Sequence, residues 1–335
     1  MIEEENWFFK LSKYSEEIGA RIKKNELKIV PESRKNEILS LIKNGLEDVS
    51  FSRPEKDLSW GIPVPNDPTQ TMYVWCDALV NYISAIGYGY EDQESRALLK
   101  TWWPADVQII GKDNLRFHAA IWPGMLLSAG LELPKTIFVH GFVNIEGAKI
   151  SKTVGNVIFP EEIIGKYGVD PVRYYFLREF PSHEDGDFSY KKFEDRYNGD
   201  LANGIGNLVA RVATLVEKVS PVSSAVPERI EKLVQEVSHK YNAAFDEFRL
   251  HEALGVVWEL ISFADKYINE EKPWEIKDSE KLKKVLMVPT RIICELSPLL
   301  EPFLPETSKK IKEQFTLKDS FIEIKKAGSL FPRLN

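Results

Sequence analysis

The sequence predicts an α/β domain followed by an all-α bundle, and three observations carry that expectation. Strand-like runs alternate with helical ones as far as Phe142; from Pro160 onward the β signal disappears while amphipathic helical spacing continues. The third is length: 335 residues, at roughly 100 to 200 per domain, suit two packed cores. Composition is that of an ordinary globular chain, 43% apolar and 28% charged with 19 Gly and 19 Pro, which excludes disordered, collagen-like and low-complexity classes. The most apolar stretch, 72–88, is interrupted by Asp77 and Asn81, so no membrane span is expected. The start, Met-Ile-Glu-Glu-Glu-Asn, has the character of neither a secretory signal nor a transit peptide, and the expected location is cytoplasmic.

Taken in order, residues 15–46 read as helical, because Ile18, Ile22, Ile38, Leu41 and Ile42 recur at three- and four-residue spacings amid charge. The proline-rich run from Phe51 to Pro68 reads as turn and extended chain. A strand is expected over Thr71 to Asp77 and a helix over Leu79 to Ile86. A second strand follows at Ala105 to Ile110, ending on Gly111, with a helix from Asp113 to Leu127, and a third strand at Thr136 to Phe142. Such βα alternation builds a parallel sheet whose ligands lie at the carboxyl ends of its strands. Beyond it, helices are expected at Pro160 to Tyr167, Asp170 to Glu179, Tyr190 to Val219, Ile230 to Phe248, His251 to Glu270, Glu280 to Leu296 and Thr307 to Gln314.

Two cysteines, Cys76 and Cys294, stand far apart without a CxxC partner, so neither a disulfide framework nor a Cys-rich zinc site is available. The net charge of −7 is uneven: residues 1–190 hold 21 Lys/Arg against 28 Asp/Glu, and residues 191–335 hold 23 of each. That balance argues against a protein that coats nucleic acid nonspecifically, which needs a broadly basic surface, but leaves a local, shaped RNA site open.

Chemistry concentrates at Lys149-Ile-Ser-Lys-Thr153, a basic loop between the last strand of the α/β half and the all-α half. Two ammonium groups three residues apart can hold the charge that develops as a polyphosphate is split. In isolation the pentamer would read as a solvated lysine loop; its place between the two halves favours phosphate chemistry.

Several segments together carry a resemblance. They are Trp60-Gly-Ile-Pro-Val-Pro65, Tyr73-Val-Trp-Cys-Asp-Ala-Leu-Val-Asn-Tyr82, Ile110-Gly-Lys-Asp-Asn-Leu-Arg-Phe-His118, Phe138-Val-His-Gly141, the KISKT loop, Tyr167-Gly-Val-Asp-Pro-Val-Arg-Tyr174, Asp185-Gly-Asp-Phe-Ser189 and Asp200-Leu-Ala-Asn203. On these the sequence resembles the methionyl-tRNA synthetases, particularly the shorter bacterial and organellar type, with KISKT similar to the KMSKS signature of class I synthetases. The fold implied is the second half of a class I Rossmann-like parallel sheet followed by an α-helical anticodon-binding bundle.

The resemblance implies site roles residue by residue. Trp75, Ala78, Tyr82 and His118 match the methionine side-chain pocket, and an aromatic box with one weak donor suits a thioether. Alone, the two aromatics would read as core and the histidine as a satisfied buried one. Gly111, Asp113, His140 and Val143 match the ATP side; Asp113 as a helix N-cap, and His140 and Val143 as strand-end packing, stay open beside that role. Lys149 and Lys152 match the catalytic lysines, with Lys152 on the ATP phosphates. Asn203, Asn207 and Arg211 share a helix face opposite the stripe Leu201, Ile205, Leu208, Val212 and Leu215, which a solvated face would also do. In the family the positions of Asn207, Arg211 and Trp274 read a CAU anticodon, and unpaired bases are recognised by aromatic stacking and polar groups at their edges.

The function so implied is ATP-dependent charging of tRNA-Met, with methionine, tRNA-Met and ATP as partners, Mg2+ entering with ATP, and no protein-bound zinc or other metal. No His-x-Gly-His element occurs in the sequence, although the family depends on one. The expectation is therefore a split or truncated C-terminal portion, inactive alone, whose partner half carries HxGH; the alternatives are a noncatalytic tRNA-binding module and a structural pseudo-synthetase that binds a partner through its open sheet edge. The expected divisions are 1–50, the end of a connective insertion with return helices; 51–159, the second half of the catalytic domain; 160–190, linker helices contacting the tRNA stem; and 191–335, the anticodon-binding domain.

Overall fold

The structure is a computed structural model and describes residues 5–150 and 157–334. It divides into two compact units, Met1–Gly141 and Phe142–Asn335. Among the described residues no helix is long and apolar enough to cross a membrane.

In the first unit β1 (Phe8–Phe9) is followed by α1 (Ser15–Lys23), β2 (Lys28–Val30), α2 (Glu32–Lys43) and β3 (Val49–Ser50), which pairs antiparallel with β1. The continuous helix expected over 15–46 is therefore broken by a strand. Asn25, at φ 56°, turns the chain out of α1, and Pro31 caps the start of α2, so the β-branched pair Ile29-Val30 is free to extend. Three residues are too few to show a period.

A small antiparallel sheet in the order β4-β6-β5 comes next, from β4 (Ser52–Pro54), β5 (Pro63–Val64) and β6 (Asp67–Met72). The strand expected over 71–77 lies earlier than that, and the helix α3 (Val74–Ser84) begins on Val74 rather than Leu79. Tyr-Val-Trp favours strand by propensity, but burial of Leu79 and Ile83 on one helical face outweighs it. After α4 (Gln93–Trp102) come β7 (Gln108–Gly111) and, past a helical segment, β8 (Thr136–His140). They complete a parallel sheet ordered β2-β8-β7, with Gly111 opposite His140 at the carboxyl ends. Strand β7 has no partner on its outer side among the described residues, and its Ile109 is 66% exposed. Ile110, Ile137 and Val139 pack instead into the core with Ile18, Ile22, Ile38, Leu115 and Trp122.

The helix expected over 113–127 arrives in three pieces: a 3-10 turn at Lys112–Asn114, a π-turn at Phe117–Ile121 and the helix α5 (Trp122–Ser128). Pro123 is the cause. It has no N–H for the Ala119 carbonyl, and the neighbouring Trp122 N–H reaches back five residues to the Phe117 carbonyl.

The second unit opens with β9 (Val143–Ile145) and β10 (Ala148–Lys149), an antiparallel pair, then α6 (Pro160–Tyr167), α7 (Val169–Glu179) and β11 (Gly186–Phe188), which lies parallel to β9. The β signal therefore does not end at Pro160. The helices α8 (Tyr190–Arg196) and α9 (Asn207–Val216) are joined by a π-helical stretch in which Gly204 leaves the helical range at φ −83°, ψ −105°. After β12 (Val222–Ser223) come α10 (Glu228–Asp246), α11 (Leu250–Glu271), α12 (Ser279–Leu300), α13 (Pro305–Gln314) and a hairpin of β13 (Phe315–Lys318) with β14 (Phe321–Ile324).

One polar set ties α7 to the turn between α12 and α13. Asp170, 3% exposed, accepts a 2.6 Å hydrogen bond from the Thr307 N–H in the first turn of α13. Arg173 donates to the carbonyls of Phe303 (2.8 Å) and Pro302 (2.7 Å), just past the end of α12. Acid at a helix start and cation at a helix end both oppose the local partial charge of the backbone. Both cysteines are free and half-buried, and burial pushes the Cys294 thiol up to about 12.

Candidate functional site

The first cluster is aromatic and forms where α3 faces the π-turn. Trp75, Ala78 and Tyr82, at three- and four-residue spacings, share one face of α3. Trp75 stacks on Phe117, with centroids 3.9 Å apart and planes 15° apart, and sets its edge toward His118 at 6.3 Å. His118 is buried. Its Nδ1 lies 3.0 Å from the Asn114 carbonyl and its Nε2 3.0 Å from Tyr82 Oη. A carbonyl can only accept, so Nδ1 carries the proton, and neutral Nε2 accepts from the tyrosine hydroxyl. Burial lowers the His118 pKa and raises that of Tyr82, keeping the pair neutral. Tyr82 remains 37% exposed and also packs on Trp122 at 6.1 Å. The result is an aromatic cluster with one hydroxyl and one imidazole, a chemistry suited to a polarizable uncharged side chain.

The neutral ring predicts a pH dependence. The folded pKa of His118 lies below the ordinary 6.5, so the unfolded chain takes up the proton first. Stability from the neutral ring is complete above the unfolded value and is lost as pH falls toward the folded one. Urea midpoints of the wild type should decline from about pH 7 to 5, and His118→Gln should decline less steeply over that window. Equal slopes would exclude this titration.

The second cluster stands at the carboxyl ends of β7 and β8. Gly111 is in extended backbone open to any residue, but a Cβ there would lie 3.1 Å from Asp113 Oδ1 and 3.9 Å from His140 Cε1. Glycine thus serves close approach, and Gly111, Asp113 and His140 form one constellation. His140 Nδ1 lies 2.7 Å from the Gly141 carbonyl, which again puts the proton on Nδ1. Neither the 3-10 turn nor the π-turn takes a side-chain cap, so Asp113 caps no helix and presents an exposed carboxylate. Val143 belongs to the second unit, in β9 opposite Gly186. Lys149 closes β10 opposite Asn144; Lys152 lies outside the described residues.

The third cluster is in the helical unit. Arg211, on α9, holds its guanidinium 5.0 Å from the centroid of the Trp274 ring and donates from Nη2 to Asn269 Oδ1 at 2.7 Å. Asn207 opens α9, exposed, one turn before Arg211. Trp274 is held out by its loop: Lys272 ends α11 at φ 44°, its N–H bonded to the Ile268 carbonyl, and Pro273 is buried. The stripe expected opposite is in the core, with Leu201, Ile205, Leu208 and Val212 buried and Leu215 packed against it.

The family model described as tRNA synthetases class I (M) matches residues 1–213, and that of the anticodon-binding domain of tRNA ligase matches residues 228–329. The chain belongs to the methionyl-tRNA synthetase family. Methionine–tRNA ligase of Caldanaerobacter subterraneus subsp. tengcongensis is 41% identical over 359 residues, covering 100% of this chain and 56% of that protein. The Thermotoga maritima methionine–tRNA ligase is 38% identical over 343 residues, covering 99% and 54%. Mycobacterium tuberculosis methionyl-tRNA synthetase in complex with methionyl-adenylate superposes with a TM-score of 0.90 at 34% identity, over 99% of this chain and 69% of that one. The chain thus spans about half the length of the curated relatives it matches.

As a member of the methionyl-tRNA synthetase family the chain has the class I parallel sheet and the helical anticodon-binding region. The structure brings Trp75, Tyr82 and His118 together, and likewise Gly111 with Asp113 and His140, and Arg211 with Trp274. Sequence reasoning missed Phe117, Trp122 and Asn269. Trp122 follows His118 by four residues and so shares its helical face; Asn269, on a helix surface, carried no signal.

Proposed function

We propose that this chain provides the C-terminal part of a methionine–tRNA ligase. Methionine and ATP would give methionyl-adenylate and pyrophosphate by attack of the methionine carboxylate on the α-phosphorus. The ribose hydroxyl at the tRNA end would then take the methionyl group and release AMP. The observation that carries the reading is the Trp75–Tyr82–His118 cage, whose Tyr82 hydroxyl and neutral imidazole face each other at 3.0 Å within aromatic walls. A thioether gains from aromatic contact there and brings no charge to be desolvated.

In this reading Trp75, Ala78, Tyr82 and His118 hold the methionine side chain, with Trp122 behind them. Gly111, Asp113, His140 and Val143 take the nucleoside, and Lys149 and Lys152 the phosphates, whose Mg2+ arrives with ATP. Asn207, Arg211 and Trp274 read the CAU anticodon of tRNA-Met, and the divisions 1–50, 51–159, 160–190 and 191–335 mark the corresponding parts. Positioning and charge stabilisation supply the catalysis. An HxGH-bearing segment, which these residues do not include, completes the adenylate site. The coverage of about half of each relative and the unpartnered outer side of β7 support this.

ATP–pyrophosphate exchange tests it. The purified chain alone should show none with methionine, and adding an HxGH-bearing N-terminal half of a relative should restore it. Robust exchange by the chain alone would overturn the two-part reading; no exchange with any such half would overturn the assignment of the adenylate site.

A further inference from the structure

We propose that Asn269 is a positioning residue that sets Arg211 over Trp274 through a neutral acceptor, leaving the guanidinium charge available to RNA. The inference rests on the anticodon reading above. Arg211 reaches α11 from α9, and its Nη2 donates to Asn269 Oδ1 at 2.7 Å while the guanidinium lies 5.0 Å from the Trp274 centroid. A flexible side chain with several torsions is thereby held at two points, and base selectivity depends on that restriction.

The chemistry of the acceptor matters. Asp265 lies one helical turn before Asn269 on α11, so a carboxylate is at hand. Among the described residues its buried Oδ1 takes no hydrogen bond; burial raises its pKa while the Arg211 charge draws it down, and the short bond to the guanidinium is made by the amide. A carboxylate at 269 could pair with both guanidinium nitrogens and cancel the charge that attracts an anionic loop. The amide fixes direction without adding a second carboxylate to that of Asp265. The residue is exposed, so its substitution disturbs no core.

The test uses the full chain and labelled RNA hairpins with CAU or UAU in an otherwise identical loop, read by fluorescence anisotropy. Asn269→Ala should reduce the preference for CAU about tenfold, since a hydrogen bond to a charged group is lost. Asn269→Asp should bind both hairpins more weakly and show a flatter dependence of affinity on salt, which a merely structural defect would not produce. Full CAU preference in Asn269→Ala, or wild-type affinity in Asn269→Asp, would overturn the proposal. Arg211→Ala separates it from the reading beneath it. If that variant retains the preference, anticodon reading by this cluster fails. If it loses the preference while Asn269→Ala keeps it, only the role of Asn269 fails.

Discussion

Trp274→Ala is expected to weaken binding of a CAU hairpin by about 1 to 3 kcal/mol, roughly 5- to 150-fold, the range for loss of one base–aromatic stack. The ring is 51% exposed, although a tryptophan at a helix–helix turn ordinarily turns inward. Its loop prevents that, because Lys272 in the left-handed region ends α11 abruptly and buried Pro273 fixes the next step. Trp274→Phe should retain much of the affinity, as a smaller ring still stacks. The folded core should be unaffected in both, so urea midpoints serve as the control. Unchanged CAU affinity in Trp274→Ala would remove this tryptophan from the reader.

Trp122→Ala should be the most destabilising single change in the first unit, at about 3 to 5 kcal/mol by comparison with other buried aromatics. That is a large part of a usual folding free energy of about 5 to 15 kcal/mol. The side chain is 1% exposed and packs between Tyr82 at 6.1 Å and Trp103 at 6.0 Å. Among the described residues its Nε1 has no hydrogen-bond partner, so Trp122→Phe gives up only volume and should cost a fraction as much. Urea unfolding of the two variants distinguishes these outcomes; a Phe variant as unstable as the Ala variant would mean that the indole N–H has a partner after all.

What could be read in advance divides along physical lines. Long helices with a strong apolar face were legible: α6 has the expected bounds, and α10, α11 and α13 begin within two residues of them. Short strands were not, because Lys28–Val30 and Gly186–Phe188 are defined by pairing with Thr136–Phe138 and Val143–Ile145, and pairing over such distances leaves no local period. The hairpin of β13 and β14 was in principle readable, since Phe315, Leu317, Ile322 and Ile324 alternate with polar residues around Asp319-Ser320. In the site, the meeting of Tyr82 with His118 spans 36 residues and could be reached only through the family resemblance. Phe117 and Trp122 complete that cage from positions flanking the matched histidine, where they looked like ordinary core.

The five-residue hydrogen bond from Trp122 to Phe117 has a consequence for how this segment tolerates change in length. A π-turn holds one residue more than the α-helix it interrupts, and each residue turns a helix by about 100°. Removing a residue between Phe117 and Ile121 would take out the surplus, although Pro123 would still deny the helix one hydrogen bond, and would shift the phase of everything on one side of the cut. The imidazole and the indole four positions later could no longer both point at α3. The surplus residue works as a spacer that sets angular register, and evolution could retune the aromatic cluster by gaining or losing it without rebuilding either flanking element.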